Sequence, residues 1–263
     1  MVILLVYLWF SDAYSKSGQG WSCDCFHQWK PLLCQAVPSC LSVCLEWWWY
    51  ELLIIFSGLL TNAADSVAAT GIIIQATAFA YNFPYALNLA VSTRVGNELG
   101  ANQASKAKTS SFVAFLFAIF TGVVAMLFMV CTRNTWGCMF TEDEAIVSLL
   151  SSTLPIVGLC ELGNCPQTTI CGVLRGSARP SYAAMINLLS FYAAGLPVSL
   201  IMGFVLKMGF LGLWLGLLAA QVVCAIVMIT VLFRTDWGLQ AKKARELTSN
   251  EENRENVSVL LVN

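Results

Sequence analysis

Three glutamates in this 263-residue chain fall inside apolar runs. Glu46 and Glu51 lie in CLEWWWYELL (44–53) and Glu161 in the stretch 146–173; no Lys or Arg occurs between Lys30 and Arg94 to neutralise the first two. An acid at mid-bilayer costs about 2.5–3.5 kcal/mol on insertion scales, so it is rare and usually faces a bundle interior. Desolvation without a cationic partner penalises the carboxylate form. An acid that binds and releases a proton at physiological pH suits an ion-coupled transporter. Glu46 and Glu51 are five residues apart, about 140° around a helix, and cannot share a face. Tyr50, at i+4 from Glu46, does share its face. We therefore expect Glu46 to face a cavity, with Glu51 in a supporting role. The alternative is that both acids are neutral and hydrogen-bonded to neighbouring helices.

Glu161 is followed by Asn164, Gln167, Thr168 and Thr169, a polar stripe on an otherwise apolar helix. The stripe could face the Glu46 helix across a cavity, or supply interhelical hydrogen bonds. Prolines accompany these polar residues. Pro38 precedes Glu46, Pro84 follows Gln75, Tyr81 and Asn82, and Pro155 and Pro166 bracket Glu161. An interior proline frees a backbone carbonyl and bends a helix. In a membrane such breaks survive where protein or a water-filled cavity meets the freed groups. Pro38, Pro84 and Pro166 are thus expected helix breaks along a path, and Tyr50, Gln75, Tyr81, Asn82, Gln167 and Thr168 are candidates for lining a substrate cavity. Pro197 reads as a packing kink.

Other chemistries find little support. The 11 cysteines are joined by a single histidine, His27, and Cys23-x-Cys25 is too close for the usual zinc-ligand pair. Most other cysteines lie in apolar segments, where they act as small hydrophobes; no metal site is expected. The chain has no Gly-rich phosphate loop, Ser/His pair or HExxH, so an enzyme is not expected. A net charge of −1 gives no basic excess for nucleic acid.

The elements that must carry these residues are membrane helices. The chain is 58% hydrophobic and 11% charged, against about 25% charged in soluble domains. Charged residues mark six spans, at about 34–60, 66–92, 109–132, 146–173, 182–206 and 209–233. Each is long enough for a helix of about 20 residues across a bilayer. The segments on one side (11–33, 94–108, 174–182 and 234–263) hold twelve of the 14 Lys and Arg. Cytoplasmic loops carry that excess, so the tail 234–263 and the loop 94–108 are expected to be cytoplasmic, and LTSNEENREN (247–256) reads as disordered. Gly212 and Gly216 form a small-xxx-small pair suited to helix contact.

The opening VILLVYLWF (2–10) is too short to cross a bilayer and lacks the basic n-region and cleavage site of a signal peptide. It reads as the end of an earlier helix, with 11–33 as a cytoplasmic connection and 34–233 as a six-helix lobe. The expectation is an all-α membrane protein forming the C-terminal part of something longer.

Four stretches resemble the multidrug and toxic compound extrusion family, most closely its plant DETOXIFICATION branch. They are CLEWWWYE (44–51), GIIIQATAFAYNFPYALNLAVSTRVGNELGAN (71–102), CELGNCPQTTICGVLRGSARP (160–180) and GFLGLWLGLLAAQ (209–221). The resemblance implies a twelve-helix fold of two six-helix lobes, of which this chain would be the second. It implies antiport, in which H⁺ or Na⁺ enters as a small organic compound leaves, with no other cofactor. Family members handle alkaloids, flavonoids, hormones and organic acids. The resemblance places the family's cation-site glutamate at Glu46 and the motif's second acid at Glu51. Many relatives carry a further acid eight residues before the first Gly of G-V-x-R-G, a position held here by Asn164; Glu161, one turn earlier, could substitute. Expected partners are the lipid bilayer, a small organic substrate and a missing N-terminal lobe or full-length relative. The plasma membrane, vacuole and endomembranes all remain open. The alternative reading is an inactive or regulatory half-transporter acting as a membrane interaction module.

Overall fold

A computed structural model of the chain describes residues 29–246, together with Tyr7. The expected helix remnant at 1–10 (Tyr7 apart), the connection up to residue 28 and the tail beyond 246 lie outside the described residues. The described chain is a bundle of six long helices: α1 (Trp29–Ser57), α2 (Ala63–Gly100), α3 (Ala104–Thr132), α4 (Glu144–Gly176), α5 (Pro180–Val205) and α6 (Phe210–Phe233). A shorter helix, α7, follows at 237–246. All six long helices are long and apolar enough to cross a membrane. Helices suit that setting because they satisfy their backbone groups internally.

Their ends differ from the sequence expectation. The loop expected at 94–108 is mostly helix: α2 runs to Gly100 and α3 starts at Ala104. With 38 residues, α2 is roughly 57 Å long, nearly twice a hydrocarbon core of about 30 Å. Charges mark where a helix leaves hydrocarbon, not where it ends. There Arg94 donates to Glu98 at 3.0 Å and Ser110 of α3 donates to the same carboxylate oxygen at 2.9 Å. The tail also begins as ordered structure, since Trp237, Gln240 and Ala241 of α7 are buried.

α5 departs from α-helical geometry twice, with π-helical turns at Leu188–Gly195 and Ile201–Val205 around the segment Leu196–Leu200. Pro197 lies between them and can donate no backbone bond to the preceding turn. The wider turns keep the rod continuous past this point, in accord with a packing kink. α5 turns into α6 through Gly209, whose φ of 60° is open to glycine at little cost. Gly212 and Gly216 then bring α6 against the backbone of α5 at Met202, Gly203 and Ser199. This is the close contact their spacing suggests.

The buried apolar residues form two clusters at different heights. One gathers Trp49, Leu53, Ile73, Leu154, Phe191 and Trp214. The other gathers Val95, Leu99, Leu174, Ile186, Met228 and Trp237. It sits at the end of the bundle bearing Arg94, Lys106, Arg175 and Arg179, called the basic end below. Four of the five helices that join both clusters carry buried polar residues between them: Asn88 on α2, Glu161 to Thr169 on α4, Asn187 and Ser190 on α5, and Gln221 on α6. Ser42 and Glu46 of α1 complete this polar belt. Pro84 and Pro166 lie within it.

Candidate functional site

Glu46 projects from α1 into the belt and is only 5% exposed. Its carboxylate accepts no hydrogen bond from any described residue; it faces a cavity of about 10 Å³ shared with Trp47, Tyr50, Thr77, Tyr81 and Asn164. That volume is about what one water needs. Opposite, Glu161 is 1% exposed and accepts from Asn164 Nδ2 at 2.9 Å. Thr168 Oγ1 in turn donates to Asn164 Oδ1 at 3.4 Å. An acid at the cavity and a second behind its Asn164 wall repel when both are ionised, so together they favour a positive charge near them.

Local sequence explains this meeting. On α4, Glu161, Asn164 and Thr168 recur at three and four residues and share one face. Gly122 of α3 and Gly163 of α4 let the flanking helices approach closely, since a side chain at Gly122 would meet the Glu161 carbonyl at 3.0 Å. On α1, Trp49 packs against Phe191 and Tyr192 of α5, which turns Glu46 toward α2 and α4. Tyr192 OH donates to the Leu45 carbonyl at 3.0 Å, and Asn187 Nδ2 donates to the Ser42 carbonyl at 3.0 Å and to Ser42 Oγ at 3.1 Å. Thus α5 grips α1 at two points just before Glu46.

The expected residues do not all converge. Glu46, Tyr50, Tyr81 and Asn164 share the cavity, and Glu161 and Thr168 join them through Asn164. Glu51 is exposed on another face of α1. Gln75 is exposed and lines a separate, open groove of about 590 Å³ with Trp136 and Phe140. Asn82 is exposed and donates to the Ala78 carbonyl of its own helix at 2.9 Å. Gln167 is fully buried and belongs to a second hub, where its Nε2 donates to Asn187 Oδ1 at 3.3 Å and Cys224 Sγ donates to the same oxygen at 3.4 Å. Of the three expected breaks, Pro38 is half-buried in α1, whereas Pro84 and Pro166 are buried.

Residues outside the sequence candidates also enter the site. Thr77 and Trp47 line the cavity, and Trp47 packs edge-on to Tyr81 at 5.6 Å. Ser42, Asn88, Asn187 and Tyr192 position its walls. The polarity of Asn187 within a span free of charges is the signal for it.

Six long apolar helices that bury a belt of polar residues define a multi-helix membrane bundle. The MatE family model matches residues 38–201. The chain is 53% identical over 244 residues to "Protein DETOXIFICATION 49" of Arabidopsis thaliana, covering 93% of this chain and 49% of that protein. It is 31% identical over 251 residues to "Multidrug and toxin extrusion protein 2" of Homo sapiens, covering 95% of this chain and 41% of that protein. A crystal structure of the eukaryotic MATE transporter AtDTX14 superposes with a TM-score of 0.87 at 30% identity, over 93% of this chain and 55% of that one. The chain belongs to the MatE family, whose members are transporters rather than enzymes. It spans about half the length of the curated relatives it matches, and its fold is one six-helix lobe of such a transporter.

Proposed function

We propose that the chain is a lobe of a cation-coupled antiporter that exports small organic compounds by alternating access. Glu46 and Glu161 take up and release the coupling ion, H⁺ or Na⁺. The observation that carries this reading is a membrane-buried acid, Glu46, at a cavity the size of a water molecule, with a second buried acid from another helix, Glu161, hydrogen-bonded to the cavity-lining Asn164. The relatives named for multidrug and toxin extrusion support organic compounds as the cargo.

The mechanism follows from where the ion binds. Uptake changes the charge in a place with little water, so conformers that differ in the position of α1 differ in affinity for the ion. That difference is what lets an ion gradient drive a conformational equilibrium. Pro38 interrupts the backbone bonding of α1 two turns before Glu46, leaving the helix able to bend there while Asn187 and Tyr192 hold its middle. Twelve of the 14 basic residues support a cytoplasmic location for the basic end and the tail.

Liposomes loaded with a fluorescent organic dye test this reading. An imposed pH or Na⁺ gradient should drive dye exchange through the protein, and Glu46→Gln should abolish it. Undiminished gradient-driven exchange by Glu46→Gln would remove the assignment.

A second reading is favoured by one face of the lobe. Trp48, Phe83 and Tyr85 of α1 and α2 are exposed although they adjoin the site. Such a face suits pairing with another lobe or a full-length relative, so that the chain alone would be an inactive or regulatory membrane module. Exchange that requires co-reconstitution with a separate lobe would establish it.

A further inference from the structure

One charged group near the site stands apart from the two acids. Arg175 lies on α4 near the basic end and is half-buried. Its Nη1 donates to Asn88 Oδ1 at 3.2 Å, while Asn88 Nδ2 donates to the Thr168 carbonyl at 2.6 Å. No carboxylate among the described residues pairs with Arg175. A guanidinium has five N–H donors, so this contact leaves most of them unspent. The neighbouring Arg94, by contrast, is paired with Glu98.

Its position follows from helix geometry. Asn164, Thr168, Cys171 and Arg175 recur at four, three and four residues along α4 and so lie on one face. That face begins at the Glu46 cavity and passes the buried Cys171. Arg175 lies eleven positions after Asn164, roughly 16 Å at 1.5 Å per residue. This is about half of a hydrocarbon core of roughly 30 Å, so Arg175 stands at the mouth of the face and the acids near its middle. Across from it on α2, Asn88, Tyr85 and Tyr81 form the matching stripe. The two tyrosine rings stack at 5.7 Å, and Trp47 meets Tyr81 edge-on. None of the described side chains of α1 before Ser42 is buried, so this end of the stripe is not sealed by packing from α1.

The geometry points to Arg175 as a recognition group for the carboxylate of an aromatic organic anion, whose ring rests on the Tyr81–Tyr85 stack. A guanidinium with free N–H groups binds a carboxylate in a bidentate fork. Tyr85 lies three residues from Asn88, roughly 4.5 Å along α2, within the span of an aryl carboxylate held by Arg175. The acids lie deeper, so an incoming anion meets a positive charge before a negative one. This inference rests on the transporter reading and names the class of cargo.

Equilibrium dialysis of the protein in neutral phosphatidylcholine nanodiscs tests it with three probes of one shape: 2-naphthoate, 2-naphthylmethylammonium and 2-naphthalenemethanol. The protein should bind the anion at least tenfold more tightly than the cation. Arg175→Gln should weaken naphthoate at least tenfold and leave the alcohol unchanged, and Arg175→Lys should restore part of the preference. Asn88→Asp keeps the arginine but occupies it with a neighbouring carboxylate, and should also erase the preference. Equal binding of the three probes, tighter binding of the cation, no binding at millimolar naphthoate, or a preference that survives Arg175→Gln overturns the proposal. Displacement of naphthoate by short-chain phosphatidylglycerol, dependent on Arg175, would make the site a lipid headgroup site and overturn it too. Arg175-dependent binding without gradient-driven export would leave this inference standing and remove the antiport reading.

Discussion

Asn164 and Glu161 are hydrogen-bonded to each other across one turn of α4, at 2.9 Å, with both side chains buried. Asn164 occupies the position where the family resemblance calls for an acid, and the acid sits three residues earlier. The pair brings an amide to the wall of the Glu46 cavity and a carboxylate behind it, and the amide fixes which way the carboxylate points. Replacing Glu161 by Gln keeps a hydrogen-bonding group of the same shape, so the protein should fold while ion-driven exchange falls at least tenfold. Replacing it by Leu leaves the Asn164 amide without its partner and should lower stability by ~1–3 kcal/mol. Thermal unfolding and dye exchange, measured on both variants, separate the two effects.

The two glutamates of CLEWWWYELL should behave differently. Glu46 is buried at the cavity and Glu51 is exposed on another face. Glu51→Gln should leave gradient-driven exchange within about twofold of the parent, whereas Glu46→Gln abolishes it. Equal losses from both would return Glu51 to the ion site.

Close helix packing at the basic end depends on the absence of side chains. A Cβ at Gly172 would strike the Asn88 backbone, and one at Gly176 would strike the Ser92 carbonyl, whereas one at Gly71 meets nothing within 4 Å. Gly172→Ala and Gly176→Ala should each destabilise by ~1–3 kcal/mol, since the overlap is with backbone that cannot rotate away. Gly71→Ala should instead stabilise by ~0.5–1 kcal/mol, because alanine loses less freedom than glycine in a helix. Melting temperatures of the three variants in one detergent would show opposite signs.

The grip of α5 on α1 is a further test. Asn187→Ala removes the donor to Ser42 and the acceptor for Gln167 and Cys224. Stranding those buried groups should cost ~1–3 kcal/mol. Tyr192→Phe removes a single half-buried hydrogen bond to the Leu45 carbonyl and should cost only ~0.5–1.5 kcal/mol. A larger loss for Tyr192→Phe than for Asn187→Ala would contradict the hub.

Much of this architecture is legible in the residues. The charge-free runs locate six spans because hydrocarbon excludes ionised groups, and the acids inside those runs announce a polar interior for the same reason. What the pattern misses has physical causes. Helix ends outside the bilayer carry no hydropathy signal, which hides the extension of α2 to Gly100. Gln75 and Asn82 are seven residues apart and lie on one side of α2, yet polarity alone does not say which side, and that side faces outward. Asn187 gains its importance from partners on α1, α4 and α6, a convergence that no single segment displays. Arg175 reads as one more basic residue of the positive side until its lack of a carboxylate partner is seen.

The central claim is that Glu46 and Glu161 are the groups that exchange the ion. Infrared difference spectra of the protein in a bilayer, recorded while pH is cycled, observe the protonated carboxyl directly. A carboxylic C=O band that appears on acidification and is lost or shifted in both Glu46→Gln and Glu161→Gln, but unchanged in Glu51→Gln, is the expected result. A band unaltered by Glu46→Gln and Glu161→Gln would contradict the assignment.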